Sequence, residues 1–183
     1  MITQPGNEKR YNIYSIGLHW LMLFLLVAVY LCMELSGNYP KGSDMRASLR
    51  NWHYMLGLSV FVLVWLRVAV NLFTRAPPIS PAPPVWQTRL AWLVKAGLYF
   101  LMIFMPLAGW LILSARGQPI PFFGLQLPAL MAASKDSAGW IKDLHEAGAT
   151  LGYFLVGLHA GAALYHHYVR RDNTLTRMLS GRR

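Results

Sequence analysis

Four long apolar stretches, residues 16–33, 52–73, 90–113 and 147–169, organise the chain and are separated by polar and proline-rich segments. A helix needs roughly 20 such residues to cross about 30 Å of hydrocarbon, so each stretch is long enough. Lipid offers no partner to a free backbone amide or carbonyl, so each must be helical. The pattern predicts an all-α membrane protein: a four-transmembrane-helix bundle forming one domain over residues 1–183, with helices at about 14–35, 50–73, 88–113 and 140–169. Pro106 should kink the third helix. Gly148, Gly152, Gly157 and Gly161 should let the fourth approach its neighbours closely. The first stretch is too long for a signal peptide and has no small-residue cleavage motif behind it.

Between the spans, residues 36–51 are polar and of mixed charge. Residues 74–89 hold Pro77, Pro78, Pro81, Pro83 and Pro84, which predicts an extended strap. The longest connection, 114–146, includes Gln118-Pro119-Ile120-Pro121-Phe122-Phe123-Gly124, expected at headgroup level. Only 13% of the 183 residues are charged, against about a quarter in soluble domains. The net charge of +10 lies in the gaps between apolar runs. Nucleic-acid binding needs that charge on one soluble face, so no such partner is expected. A single cysteine, Cys32, excludes an internal disulfide and a Cys-only metal site. Lys and Arg near span ends set orientation. One side has nine (Lys9, Arg10, Arg75, Arg89, Arg170, Arg171, Arg177, Arg182 and Arg183) and the other six (Lys41, Arg46, Arg50, Arg116, Lys135 and Lys142). Both termini should therefore be cytoplasmic.

Ionisable residues inside spans are costly and mark function. All six histidines lie in or at the ends of apolar runs. A single one would read equally well as a helix-to-helix hydrogen bond, but these fall at paired depths. His145 and His159 are 14 residues apart, about 21 Å and within roughly 40° of four whole turns, so they share a face at two levels. His53 matches His145 in depth, and His19 matches His159. Two opposed imidazoles in an apolar bundle are axial ligands for b-type haem iron. Zinc or copper lacks a third ligand at either level, and no C-x-x-C-H motif supports covalent haem. The spacing thus predicts an outer haem on His53 and His145 and an inner haem on His19 and His159. Arg67, 14 residues after His53, is level with the inner pair; it either meets the haem propionates or snorkels to the cytoplasmic interface. His166, seven residues after His159, returns to the ligand face at the cytoplasmic rim. It reads as a proton donor or hydrogen-bond partner for a quinone, or as an interfacial histidine in water. His167 points about 100° away and is the weaker candidate.

These residues resemble the bacterial cytochrome b561 family, and within it the short four-helix di-haem members. The matching segments are Ile16-Gly17-Leu18-His19-Trp20-Leu21, Cys32-Met33-Glu34, Trp52-His53, Arg67, the proline-rich strap, and Gly152-Tyr153-Phe154-Leu155-Val156-Gly157-Leu158-His159-Ala160. The tail Tyr165-His166-His167-Tyr168, followed by Arg171-Asp172-Asn173-Thr174-Leu175, belongs to the same pattern. The resemblance covers nearly the whole chain. It implies two haem b groups on His19, His53, His145 and His159, a bacterial inner-membrane location, and a quinone near His166. It also implies that electrons from periplasmic superoxide reach ubiquinone as acceptor, yielding oxygen and ubiquinol without a protein partner. Some relatives carry histidines on the third helix at the positions of Trp92 and Lys95; this chain does not.

With both axial positions filled, each iron has no vacancy for substrate, so the chemistry is one-electron transfer through the haem edge. The alternative is a cytochrome b subunit relaying electrons between the quinone pool and a separate periplasmic redox protein. A non-redox rival is a metal or proton transporter with His-lined helices. Superoxide is an anion, and Arg50 and Lys142 stand three residues before His53 and His145, within one helical turn. They are the candidates for steering it inward. Read otherwise, they are headgroup-facing charges, and Glu34, Asp44, Asp136, Asp143 and Glu146 on the same side weaken the field.

Overall fold

A computed structural model describes residues 10–179. Lys9, Arg182 and Arg183, three of the nine basic residues used for orientation, lie outside the described residues. The elements run α1 (Ile13–Gly37), α2 (Asp44–Phe73), α3 (Val85–Ala115), β1 (Ile120–Phe122), β2 (Leu125–Leu127) and α4 (Lys135–Tyr165). All four apolar stretches are helical, and the helices are long and apolar enough to cross a membrane.

Two helices begin well before their apolar stretch. α2 starts at Asp44, where the Ser43 side chain accepts from the Arg46 amide at 3.4 Å. α4 starts at Lys135, where Ser134 accepts from the Ser137 amide at 3.3 Å. Residues 44–49 and 135–139, expected to lie before the helices, are therefore helical. An N-cap hydroxyl fixes where a helix starts, whereas hydropathy marks only where lipid begins. His145 lies ten residues into α4.

The 120–127 segment forms a hairpin that the sequence pattern does not predict, since three-residue strands carry no periodic signal. Ile120 pairs with Leu127 and Phe122 with Leu125. The turn residues Phe123 and Gly124 have φ of 45° and 87°, as a tight two-residue hairpin loop requires. Ile120 is buried against Leu58 and Leu113, which seats the hairpin on α2 and α3.

α1 packs on α2, α2 on α3, and α3 on α4, while α4 meets α1 and α2 through side chains rather than close backbone approach. Met22, Val60 and Val64 form the core between the first three helices, joined by Val29, Tyr99 and Met102. Large apolar side chains cover the outside; Phe73 is 89% exposed and Phe24 68%, the surface a bilayer would solvate. The glycines of α4 divide by position. A Cβ on Gly148 would overlap the Met105 sulfur of α3, and one on Gly152 the Tyr30 hydroxyl of α1. A Cβ on Gly157 or Gly161 would meet nothing within 4 Å, so the expected close approach holds only for the first two.

After α4 the chain widens into a π-type turn over His166–Arg170, and Arg171 adopts φ 54°. The tail then crosses to the proline-rich strap and α1. Ser80 N donates to Asn173 Oδ1 at 2.8 Å and Asn173 N to the Ser80 carbonyl at 3.2 Å. Arg177, buried, donates to the Pro77 carbonyl. Trp20 Nε1 donates to the Met178 carbonyl at 2.8 Å.

Candidate functional site

The four predicted ligand histidines meet in two pairs. His19 of α1 faces His159 of α4 with ring centroids 6.1 Å apart and planes 64° apart. His53 of α2 faces His145 of α4 at 6.2 Å and 74°. Two metal–imidazole bonds of about 2.1 Å plus two ring radii of about 1.1 Å sum to roughly 6.4 Å, so each gap suits one metal atom between two rings. Among the described residues, no three His, Cys, Asp or Glu side chains gather as a metal site. Each level is a two-nitrogen donor set, which suits an ion whose remaining positions are filled by a macrocycle.

The second nitrogen of each ring decides whether it can ligate. His53 Nδ1 lies 3.0 Å from the Val29 carbonyl. A carbonyl only accepts, so Nδ1 carries the proton and Nε2 keeps its lone pair for a metal. His145 keeps a buried Nδ1 without a hydrogen-bond partner, near the Met105 backbone. The outer pair therefore fits haem as it stands. The inner pair differs. Arg67 Nη2 lies 3.2 Å from His19 Nδ1, and Arg67 Nε donates to the Tyr99 hydroxyl at 3.0 Å. A guanidinium only donates, so this contact holds His19 with its proton on Nε2. His19 fits haem once Arg67 turns from it to an anion, and a haem propionate is such an anion. Arg67 thus faces the bundle rather than snorkelling away.

Between the two levels stands Tyr30. Its hydroxyl donates to the Ala149 carbonyl of α4 at 2.9 Å, and its ring packs on Tyr153 at 4.4 Å. Tyr153 in turn donates to Glu34 at 2.8 Å. At the end of α4, His166 Nδ1 lies 2.5 Å from Asp172 Oδ2, with side-chain exposures of 14% and 1%. Asp172 Oδ1 also accepts from the Thr174 amide at 2.9 Å. Burial raises the Asp172 carboxyl's pKa, but hydrogen bonds from His166 and Thr174 outweigh it and hold it below the ordinary carboxylate value. His167 turns to Tyr168 instead, with rings 4.8 Å apart.

The two steering candidates diverge. Lys142 is paired with Glu146 at 2.7 Å, one turn along α4. Arg50 lines a groove of about 510 Å³ with Lys41, Arg46, Asn51 and Tyr54, and its Nε has no hydrogen-bond partner. That groove collects three cations about the start of α2 and reaches Tyr54, the chain neighbour of His53.

Sequence reasoning missed Tyr99, Tyr30 and Asp172. Tyr99 and Tyr30 touch their partners across helices, and nothing local marks them. Asp172 had a signal, an acid following a histidine pair just beyond a span.

Comparison with known proteins agrees with the geometry. The family described as prokaryotic cytochrome b561 matches residues 10–181. An Escherichia coli protein named cytochrome b561 homolog 1 is 37% identical over 175 residues, 96% of this chain and 99% of that protein. A Yersinia pestis protein named probable superoxide oxidase CybB is 37% identical over 176 residues, again 96% and 99%. Cytochrome b562 of Cereibacter sphaeroides is 25% identical with both chains fully covered.

Proposed function

We propose that this chain, which belongs to the prokaryotic cytochrome b561 family, carries electrons across the bacterial inner membrane from periplasmic superoxide to ubiquinone. The observation that carries this reading is the two facing imidazole pairs, with ring centroids 6.1 and 6.2 Å apart, at two levels of one bundle. Each level would hold one haem b, between His53 and His145 on the outer side and between His19 and His159 on the inner. Haem so held would supply one-electron transfer. In balance, two superoxide ions, one ubiquinone and two protons give two oxygen molecules and one ubiquinol.

The chain's own residues do the rest. Arg50, with Lys41 and Arg46, draws the anion towards the outer pair. The Val29 carbonyl orients the His53 imidazole. Arg67, released from His19, answers the charge of a propionate. His166 serves the quinone at the inner rim, where cytoplasmic water supplies protons, and both termini lie on that side. Superoxide as donor is favoured by the name of the Yersinia pestis relative and by the cationic groove.

The test is superoxide-driven reduction of ubiquinone by the purified protein, with haem absorbance followed throughout. Superoxide-dependent ubiquinol formation without any added protein supports the reading. Haem that quinol reduces but superoxide does not would overturn it in favour of a relay to a separate redox protein. Protein that takes up no haem would remove both.

A further inference from the structure

Asp172 is the one buried carboxylate among the described residues; the other acids there are exposed. Burying a carboxylate is costly and calls for a partner. Its partner is His166 at 2.5 Å, and the second oxygen is held by the Thr174 amide at 2.9 Å. Holding the tail in place does not need this charge. The Asp172 amide already donates to the His166 carbonyl at 3.1 Å, and Asn173, Arg177 and Met178 tie the tail to the strap and to Trp20. An asparagine would close the same turn onto Thr174 and would still accept the imidazole N–H. Only the negative charge is particular to aspartate.

We propose that Asp172 is a positioning residue for quinone protonation, holding the Nδ1–H of His166 on its carboxylate so that Nε2 is the atom that delivers the proton. This rests on the reading of His166 as the quinone-facing histidine. The step balances as follows. The Nε2–H bond of the His166 imidazolium breaks, and its proton forms the O–H bond on a ubiquinone oxygen. The electron for that bond comes from superoxide through the transfer path proposed above. His166 is left neutral with Nδ1–H still on Asp172, and water at the rim returns a proton to Nε2. Two passes complete ubiquinol. The carboxyl's lowered pKa keeps Asp172 ionised throughout, so it shares the charge without taking the proton.

The experiment uses the haem-loaded protein, reduced beforehand and mixed rapidly with a short-chain ubiquinone. Asp172→Asn should slow haem reoxidation about 10- to 100-fold, the usual cost of removing a group that orients a functional histidine. Haem absorbance and reduction by superoxide should not change. Millimolar imidazole should restore part of the rate to His166→Gly, and Asp172→Glu should recover more than Asp172→Asn. A slow His166→Gln beside an unimpaired Asp172→Asn would overturn this role and leave the quinone reading standing. Normal reoxidation in His166→Gln would remove the quinone reading itself, and this role with it. Should the Asp172 variants fail to assemble, nitrogen-15 NMR of the reduced wild-type protein decides. His166 observed with its proton on Nδ1 supports the role, and a neutral ring with Nδ1 bare overturns it.

Discussion

Gly152 stands seven residues from each proposed α4 ligand, His145 and His159, two turns either way and so on the same face. A Cβ there would overlap the Tyr30 hydroxyl, which donates to the Ala149 carbonyl at 2.9 Å. Gly152→Ala should cost about 1–3 kcal/mol for the displaced side chain, offset by about 1 kcal/mol for replacing glycine inside a helix. The net is a loss of roughly zero to 2 kcal/mol. Tyr30→Phe alone should cost about 1 kcal/mol, the worth of one hydrogen bond whose acceptor keeps its helical partner. In the double variant the overlap is gone, so the helical gain and the lost hydrogen bond cancel to about zero. The two changes therefore couple by about 1–3 kcal/mol. Thermal loss of haem absorbance in detergent reads this directly, since each proposed ligand pair includes an α4 histidine; each kcal/mol is worth about 2–4 °C in a chain of this size. Four melting curves that add without coupling would refute the idea that Tyr30 is the strut that spaces α4 from α1.

Three other outcomes are expected. His53→Ala and His145→Ala should each remove the outer haem, and His19→Ala and His159→Ala the inner, by pyridine haemochrome quantification; loss of the same haem from His53→Ala and His159→Ala would break the pairing. Superoxide-dependent haem reduction should slow with added salt, because steering worth about 10- to 1000-fold fades as the Debye length falls to roughly 8 Å, and Arg50→Gln should slow it more than Lys142→Gln, whose charge Glu146 already meets at 2.7 Å. The Asp172 carboxyl lies below its ordinary value of 3.8 when folded, so its contact with His166 is fully charged above that value and is lost as pH falls through the folded pKa. The ties of the tail to the strap and to Trp20 do not use that charge, so Asp172→Asn should leave proteolytic cleavage of the tail near neutrality little changed; marked enhancement would mean that the charge holds the tail.

What the sequence could and could not reveal follows from the bilayer. A membrane holds helices nearly parallel, so the 1.5 Å rise per residue becomes a shared ruler of depth. That is why four histidines spread over 140 residues could be paired from their positions alone, and the rings do meet as His19 with His159 and His53 with His145. Depth is only one coordinate. The angle about each helix axis fixes who touches whom sideways, and a 3.6-residue period leaves it relative to an unknown origin. Arg67 was therefore legible in level but not in direction, and its partner Tyr99, 32 residues away on α3, not at all. Outside the spans the ruler fails altogether. The hairpin, the early starts of α2 and α4, and the tail across the proline-rich strap are set by caps, turns and hydrogen bonds such as Ser80 to Asn173, which hydropathy does not see. Asp172 lies in that unruled region, and there a buried charge beside a histidine is visible only once the chain has folded back on itself.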